Sequence, residues 1–211
     1  MSQSIHGKRI VLIGGAGFIG HNLALSLAQR GADVHVIDSL QVNNLLQFSS
    51  KMPDLQNREL YLRIIHQRLD LLHEAGIPLH VQDARDYHAL GTLLNHQIKP
   101  QVIIHLAAVA HAGRSNKDPY STFDHSLRTL ENALDCARGQ VEQFIFLSSS
   151  MVYGNFETEE VDEAHLGLGG DEGFFDLEAV PGPHLDDRGA GGKGHGALLC
   201  FSASGACRSR R

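Results

Sequence analysis

The sequence predicts an α/β protein built on a doubly wound parallel sheet. Through roughly the first 150 of 211 residues, short apolar runs alternate with amphipathic helical segments, which is the pattern of parallel strands joined by helical crossovers. The apolar runs are rich in β-branched residues, as is typical of strands that are buried on both faces. Strands are predicted at 9–13, 34–37, 78–81, 102–106 and 143–148, and helices at 18–30, 58–74, 87–96 and 120–138.

The composition excludes several classes of function. Apolar residues make up 42% and charged residues 20% of the chain, as in soluble globular proteins. The net charge of −6, without a Lys/Arg-rich face, predicts no nucleic-acid partner. No apolar run approaches the ~18 residues of a membrane span, so a cytoplasmic chain is expected. Cys136, Cys200, Cys207 and the dispersed histidines lack metal-ligand spacing, so no metal site is predicted.

Three glycines follow the first predicted strand and open the first predicted helix. Gly14, Gly17 and Gly20 are spaced three apart, the pattern of a turn that lets a pyrophosphate approach the backbone and the N–H groups of a helix N-terminus. The strand–turn–helix context favours a Rossmann-type dinucleotide site over the alternative of a tight turn alone.

An acidic residue ends the second predicted strand. Asp38 lies 18 positions after Gly20, where a carboxylate accepts hydrogen bonds from the adenosine ribose hydroxyls. The same carboxylate would repel a 2′-phosphate, and positions 39–50 contain no Lys or Arg. The sequence therefore predicts NAD in preference to NADP, the alternative being an aspartate that only caps the strand end.

Further motifs occur in a fixed order along the chain. They are Gly14-x-x-Gly17-x-x-Gly20, Asp38, Asp83-Ala84-Arg85-Asp86, His105-Leu106-Ala107-Ala108 and Ser148-Ser149-Ser150-Met151-Val152-Tyr153-Gly154. Together they resemble the extended short-chain dehydrogenase/reductases, specifically the NAD-dependent sugar-nucleotide epimerase/dehydratase family. The resemblance runs from about Gly7 to Glu163. It implies a nucleotide-sugar substrate, transient oxidation of a sugar hydroxyl, and a homodimer involving the helix at 120–138.

The resemblance also implies roles for individual residues. The pyrophosphate would be held by Gly14, Gly17, Phe18, Ile19 and Gly20. Asp38 would bind the adenosine ribose, and Asp83 and Ala84 the adenine; the alternative for Asp83 is a solvated loop carboxylate. The ribose–nicotinamide half would lie along Leu106, Ala107 and Ala108, for which plain core packing is the alternative. Ser149 would be the catalytic residue that hydrogen-bonds the substrate oxygen.

The chain departs from this family in its catalytic pair. The family removes the sugar hydroxyl proton with a tyrosinate whose pKa is lowered by a lysine four residues on. None of Tyr61, Tyr87, Tyr120 and Tyr153 has a lysine at that spacing. Two hypotheses follow: a chain that carries mainly the cofactor-binding half of an epimerase or dehydratase, or a non-catalytic NAD-binding fragment or degenerate paralogue.

The composition changes after about residue 165. Residues 166–211 are rich in glycine, contain Cys200 and Cys207, and show no helical or strand period. We therefore expect an NAD-binding domain at 1–165 and an irregular or disordered tail at 166–211, without a complete substrate domain. A shifted reading frame or truncation would give such a tail, the alternative being a genuine one.

Overall fold

A computed structural model of the chain describes residues 4–42, 44–49, 57–109, 117–148 and 198–201. Its strands are β1 (Arg9–Ile13), β2 (Asp33–Asp38), β3 (Leu79–Val81), β4 (Val102–His105), β5 (Gln143–Leu147) and β6 (Leu198–Phe201). Its helices are α1 (Phe18–Gln29), α2 (Leu45–Ser49), α3 (Arg58–Glu74), α4 (Tyr87–Thr92, extended by a wider turn over Leu93–Ile98) and α5 (Pro119–Phe123, a wider turn over Asp124–Arg128, then Thr129–Ala137).

The six strands form one parallel sheet in the order β3-β2-β1-β4-β5-β6. The chain runs outward from β1 to β3 and then returns to the other side of β1 with β4. Ligands of open α/β sheets bind at such a reversal of strand order, beyond the carboxyl ends of the strands. The predicted fold class is confirmed.

Strand β1 is buried on both faces, as its uninterrupted apolar sequence predicts. Val11 and Ile13 belong to a core cluster formed with α4 and α5. Ile10 and Leu12 point to the opposite face, into a cluster that includes residues of α1 and α3. This alternation explains why helices cover both sides of the sheet.

The helices differ from the sequence prediction in their internal hydrogen bonding. The expected helices at 87–96 and 120–138 each contain a wider turn, over Leu93–Ile98 and Asp124–Arg128. Turns with i→i+5 hydrogen bonds are frequent at functional sites. Helix α2 was not predicted, because five residues are too few to show a helical period.

One strand lies in a segment where the sequence predicted none. Residues of β6 pair in parallel with β5, from Phe144 opposite Leu198 to Leu147 opposite Phe201. The prediction for 166–211 is corrected for these four residues, whose apolar run Leu-Leu-Cys-Phe is long enough for a short strand. The rest of that segment and the domain boundary near 165 lie outside the described residues.

Within the described ranges, no helix is both long enough and apolar enough to cross a bilayer. Among the same residues, no three His, Cys, Asp or Glu side chains are grouped as metal ligands would be.

Candidate functional site

A cavity of about 610 Å³ lies at the carboxyl edge of the sheet. Because parallel strands end on the same edge, the segments that follow β1, β2, β3 and β4 all contribute to it. The structure brings together in its lining the eleven residues predicted to bind cofactor: Gly14, Gly17, Phe18, Ile19, Gly20, Asp38, Asp83, Ala84, Leu106, Ala107 and Ala108. Their contacts with a cofactor stay a prediction. Ser149 lies outside the described residues.

Two glycines of the turn are required by packing within the protein. Gly14 has φ +79°, and a Cβ on it would lie 2.7 Å from the backbone nitrogen of Ala107. A Cβ on Gly20 would lie 2.5 Å from both the Cα and the carbonyl oxygen of Gly15. These positions therefore support the tight-turn interpretation, irrespective of any ligand.

Gly17 is different, because the protein leaves room for a side chain there. It is the N-cap residue of α1, with extended backbone angles (φ −73°, ψ −179°), and the atom nearest to a Cβ would be the Gly14 carbonyl oxygen at 3.4 Å. Packing does not require a glycine at this point of the cavity wall. The space beside Gly17 fits a ligand group that must approach the backbone closely.

The first turn of α1 faces this space without a side-chain cap from any described residue. The first backbone N–H groups of a helix have no acceptor within the helix, and the helix dipole adds positive potential there. Phe18 and Ile19 occupy this turn and line the cavity, with 70% and 51% of their surfaces exposed. The backbone here has the donors and the potential that a pyrophosphate requires.

Asp38 is held in place by two backbone hydrogen bonds. One carboxylate oxygen accepts from the backbone nitrogen of Ala16 at 3.0 Å and the other from that of Leu40 at 2.8 Å. Burial raises the pKa of the Asp38 carboxyl, while these hydrogen bonds act in the opposite direction. A carboxylate has about four acceptor positions, so two remain for ribose hydroxyls. Capping the strand end and binding a ribose are therefore compatible roles.

The glycine turn has a second support that the sequence analysis missed. The side-chain amide of Asn44, 1% exposed, donates to the Ala16 carbonyl at 3.3 Å and accepts from the Leu45 backbone nitrogen at 2.8 Å. An asparagine in a polar loop carries no sequence signal for burial.

Asp83 is ion-paired, unlike the solvated loop carboxylate that was the alternative for it, while its predicted contact with adenine stays a prediction. The Arg85 Nη2 donates to it at 2.6 Å, and Gln41 Nε2 donates at 3.2 Å. Burial raises the pKa of the Asp83 carboxyl, but hydrogen bonds and charge from Arg85 outweigh it and lower the net pKa. Asp83 is thus a partly buried, ion-paired carboxylate and not a solvated one. Arg85 also bonds Asp124 on α5 at 2.6 Å, which ties the loop after β3 to that helix.

The residues after β4 serve both the core and the cavity. Leu106 packs against the cluster on one face of the sheet and Ala107 against the cluster on the other, and both line the cavity. The Val109 backbone nitrogen donates to the Ser126 hydroxyl at 3.0 Å, which anchors this segment to α5. Core packing and cavity lining therefore coexist in this segment.

His105 is the last residue of β4, immediately before this segment, and is fully buried. Burial lowers its pKa to about 4, although backbone groups of Thr129 and of His105 itself weakly favour the charged form. Neither ring nitrogen has a partner at hydrogen-bonding geometry among the described residues. The rings of Phe144 and Phe146 lie 6.3 Å and 5.9 Å away, so the imidazole is held neutral in an apolar environment.

Helices α2 and α3 form a wall of the cavity that the sequence analysis did not assign. The rings of Phe48 and Tyr61 stack at 5.2 Å, and Ile65 and Arg68 continue the lining. Positions 61, 65 and 68 are spaced as residues on one helix face, and this spacing was the available signal. What it did not show was that this face turns toward the glycine turn.

Comparison with known proteins identifies a family. The sequence pattern of the NAD dependent epimerase/dehydratase family matches residues 10–167. The UDP-glucose 4-epimerase of Mus musculus is 28% identical over 162 residues, which cover 75% of this chain and 42% of that protein. That of Schizosaccharomyces pombe is 26% identical over 72% of this chain and 38% of its own length. The chain thus spans about two fifths of the length of these curated relatives.

Solved structures show the same fold. The UDP-glucose 4-epimerase of Thermus thermophilus, in complex with NAD, matches with a TM-score of 0.57 and 26% identity, covering 76% of this chain and 44% of that one. The UDP-Glc/GlcNAc 4-epimerase of Campylobacter jejuni matches with a TM-score of 0.58 at 23% identity, covering 76% and 43%.

Proposed function

This chain belongs to the NAD dependent epimerase/dehydratase family, and from that premise we propose that its cavity binds NAD as the cofactor half of a nucleotide-sugar epimerase or dehydratase site. One observation carries the proposal: eleven residues selected from sequence motifs line a single cavity at the reversal of strand order. The curated relatives named above are UDP-glucose 4-epimerases, which supports a nucleotide sugar as the substrate class.

The residues present fit the dinucleotide. The room beside Gly17 admits a pyrophosphate, and the first turn of α1 donates to it. Asp38 accepts from the adenosine ribose hydroxyls with its two remaining acceptor positions. The small side chains of Ala107 and Ala108 leave space for the nicotinamide half. When bound, NAD supplies a transient hydride acceptor for oxidation of a sugar hydroxyl, and Ser149 is proposed to hydrogen-bond the reacting oxygen.

Calorimetric titration with NAD and NADP tests the cofactor proposal. We expect NAD to bind more tightly, because the Asp38 carboxylate repels a 2′-phosphate. Asp38→Asn removes the charge and keeps one oxygen, which can accept from one of the two backbone N–H groups that Asp38 binds. Since a hydrogen bond to a charged group contributes about 1.5–3 kcal/mol, NAD affinity should fall about tenfold or more.

Asp70→Asn provides the matched control. Asp70 is exposed on α3, so this variant loses the same charge away from the cavity and should bind NAD as the unmodified chain does. Equal or tighter binding of NADP by the unmodified chain would contradict the proposal, as would unchanged NAD affinity in Asp38→Asn.

A second candidate function is NAD binding without turnover. It is favoured by the absence of a Tyr-x-x-x-Lys pair from the 211 residues. A general base contributes about 10²–10⁴ in rate, so we expect no measurable interconversion of UDP-glucose and UDP-galactose and no accumulation of reduced cofactor. Turnover by the purified chain would exclude this candidate. Tight NAD binding without turnover would support it.

A further inference from the structure

Helix α3 contributes a cation to the cavity. The guanidinium carbon of Arg68 lies 5.7 Å from the centroid of the Phe18 ring, and both side chains line the cavity. Phe18 is the first residue of α1. The guanidinium group is therefore near the helix turn whose backbone donors face the space beside Gly17.

Arg68 differs from Arg9 and Arg85 in having no carboxylate partner among the described residues. Arg85 pairs with Asp83 and with Asp124, each at 2.6 Å, and Arg9 pairs with Asp33 at 2.7 Å. The Arg68 guanidinium instead lies over the Phe18 ring. Burial lowers the pKa of this guanidinium, because the charged form has lost contact with water.

The position of this charge selects one group of a dinucleotide. An anion that enters the cavity beside Gly17 meets the first turn of α1, and the Arg68 guanidinium lies over the ring of Phe18 on that same turn. A guanidinium donates two parallel N–H groups to phosphate oxygens, and the face of an aromatic ring attracts and orients it. Asp38, by contrast, places a negative charge where a 2′-phosphate would lie.

We propose that Arg68 binds the pyrophosphate of the dinucleotide beside the N-terminus of α1. This assignment rests on the proposed NAD binding and adds a side chain to a site that otherwise uses backbone donors. It also gives the segment 41–77 a role in cofactor affinity. The charge of Arg68 compensates locally for the approach of an anion to a chain with a net charge of −6.

The test compares Arg68→Met with Arg63→Met in the full 211-residue chain. Both variants remove one guanidinium from α3, but Arg63 is exposed and does not line the cavity. Binding of NAD, ADP-ribose, adenosine and NADP is measured by calorimetry at low and moderate salt. Circular dichroism and thermal unfolding confirm that each variant is folded, and Arg68→Lys serves as a second variant that keeps the charge.

We expect Arg68→Met to lower the affinity for NAD and for ADP-ribose about tenfold or more, and the affinity for adenosine less than twofold. The affinity of this variant for NAD should also depend less on salt. Arg63→Met should match the unmodified chain, and Arg68→Lys should lie between the two. Unchanged NAD affinity in folded Arg68→Met would overturn the assignment, and so would a loss confined to NADP. Should Arg68→Met not fold, Arg68→Lys with unchanged NAD and ADP-ribose affinity overturns it. If the unmodified chain binds neither NAD nor ADP-ribose, the proposed function itself fails.

Discussion

Substitution of alanine at two glycines of the same turn should separate ligand binding from folding. The Cβ of Gly17→Ala would have its nearest neighbour at 3.4 Å, and the backbone at this position is extended, a conformation that alanine adopts freely. Lower entropy of the unfolded chain gains about 0.4–1 kcal/mol, while alanine is the poorer N-cap residue by a similar amount. The free energy of unfolding should change by less than about 0.5 kcal/mol.

The same methyl group occupies space that the proposed ligand needs. A pyrophosphate displaced by a methyl group loses well-aligned donors from the first turn of α1, and each hydrogen bond to a charged group contributes about 1.5–3 kcal/mol. We therefore expect Gly17→Ala to weaken NAD binding at least tenfold while the protein stays folded.

Gly20→Ala should instead lower the stability of the fold. Its Cβ would lie 2.5 Å from two backbone atoms of Gly15, and backbone cannot move aside as a flexible side chain does. Overpacking of this kind costs about 1–3 kcal/mol, so the free energy of unfolding should fall by at least that amount.

Urea denaturation and calorimetric titration of both variants measure the two effects separately. The reasoning would be refuted if Gly17→Ala bound NAD as tightly as the unmodified chain, or if Gly20→Ala were equally stable. Loss of stability in Gly17→Ala alone would show that its Cβ meets atoms other than those described.

Two further predictions concern buried polar groups near the cavity. His105 has a pKa of about 4 in the folded chain and about 6.5 when unfolded, so acid protonates the unfolded state first. Between pH 7.5 and pH 5 this difference should remove about 2 kcal/mol from the free energy of unfolding, a loss that His105→Leu abolishes; identical pH dependence in urea titrations of the two proteins would contradict this. Asn44→Ala should lower the free energy of unfolding by about 1–3 kcal/mol, because it removes a buried hydrogen-bonding partner of the Ala16 carbonyl. The exposed neighbour Leu46→Ala is the control, and equal denaturation midpoints of the two variants would count against the role of Asn44.

The central strands could be predicted from the sequence because they are bounded locally. Strand β1 and helix α3 were predicted with the bounds observed. Their apolar patterns end at glycines or polar residues, which mark the ends of the elements in the sequence itself. The wider turns in α4 and α5 were not predicted, because a change from i→i+4 to i→i+5 bonding leaves the side-chain types unchanged. Strand β6 depends on pairing with β5, and the residues around 198–201 give no sign of this pairing.

Some residues of the candidate site could likewise be predicted from local sequence motifs, and others could not. Gly17 and Asp38 could be predicted as cavity residues, because a dinucleotide-binding motif has a fixed spacing between its glycine turn and its strand-end carboxylate. Arg68 was not found, because its place in the cavity depends on how α3 packs. The pairing of Arg85 with Asp124 joins residues 39 positions apart, and no local pattern indicates such a contact.

The reversal of strand order also affects when the cavity forms during folding. Strand β1 pairs with β4, and Arg9 reaches the side chain of Gln101, 92 positions along the chain. Contacts of such separation form slowly, since the entropy of closing the intervening loop is lost before they are made. Gly14 meets Ala107 only when β4 has docked beside β1. A nascent chain that has released only β1 to β3 therefore has the glycine turn but lacks the cavity lining at Leu106, Ala107 and Ala108. A cofactor can stabilise the fold only after β4 has docked.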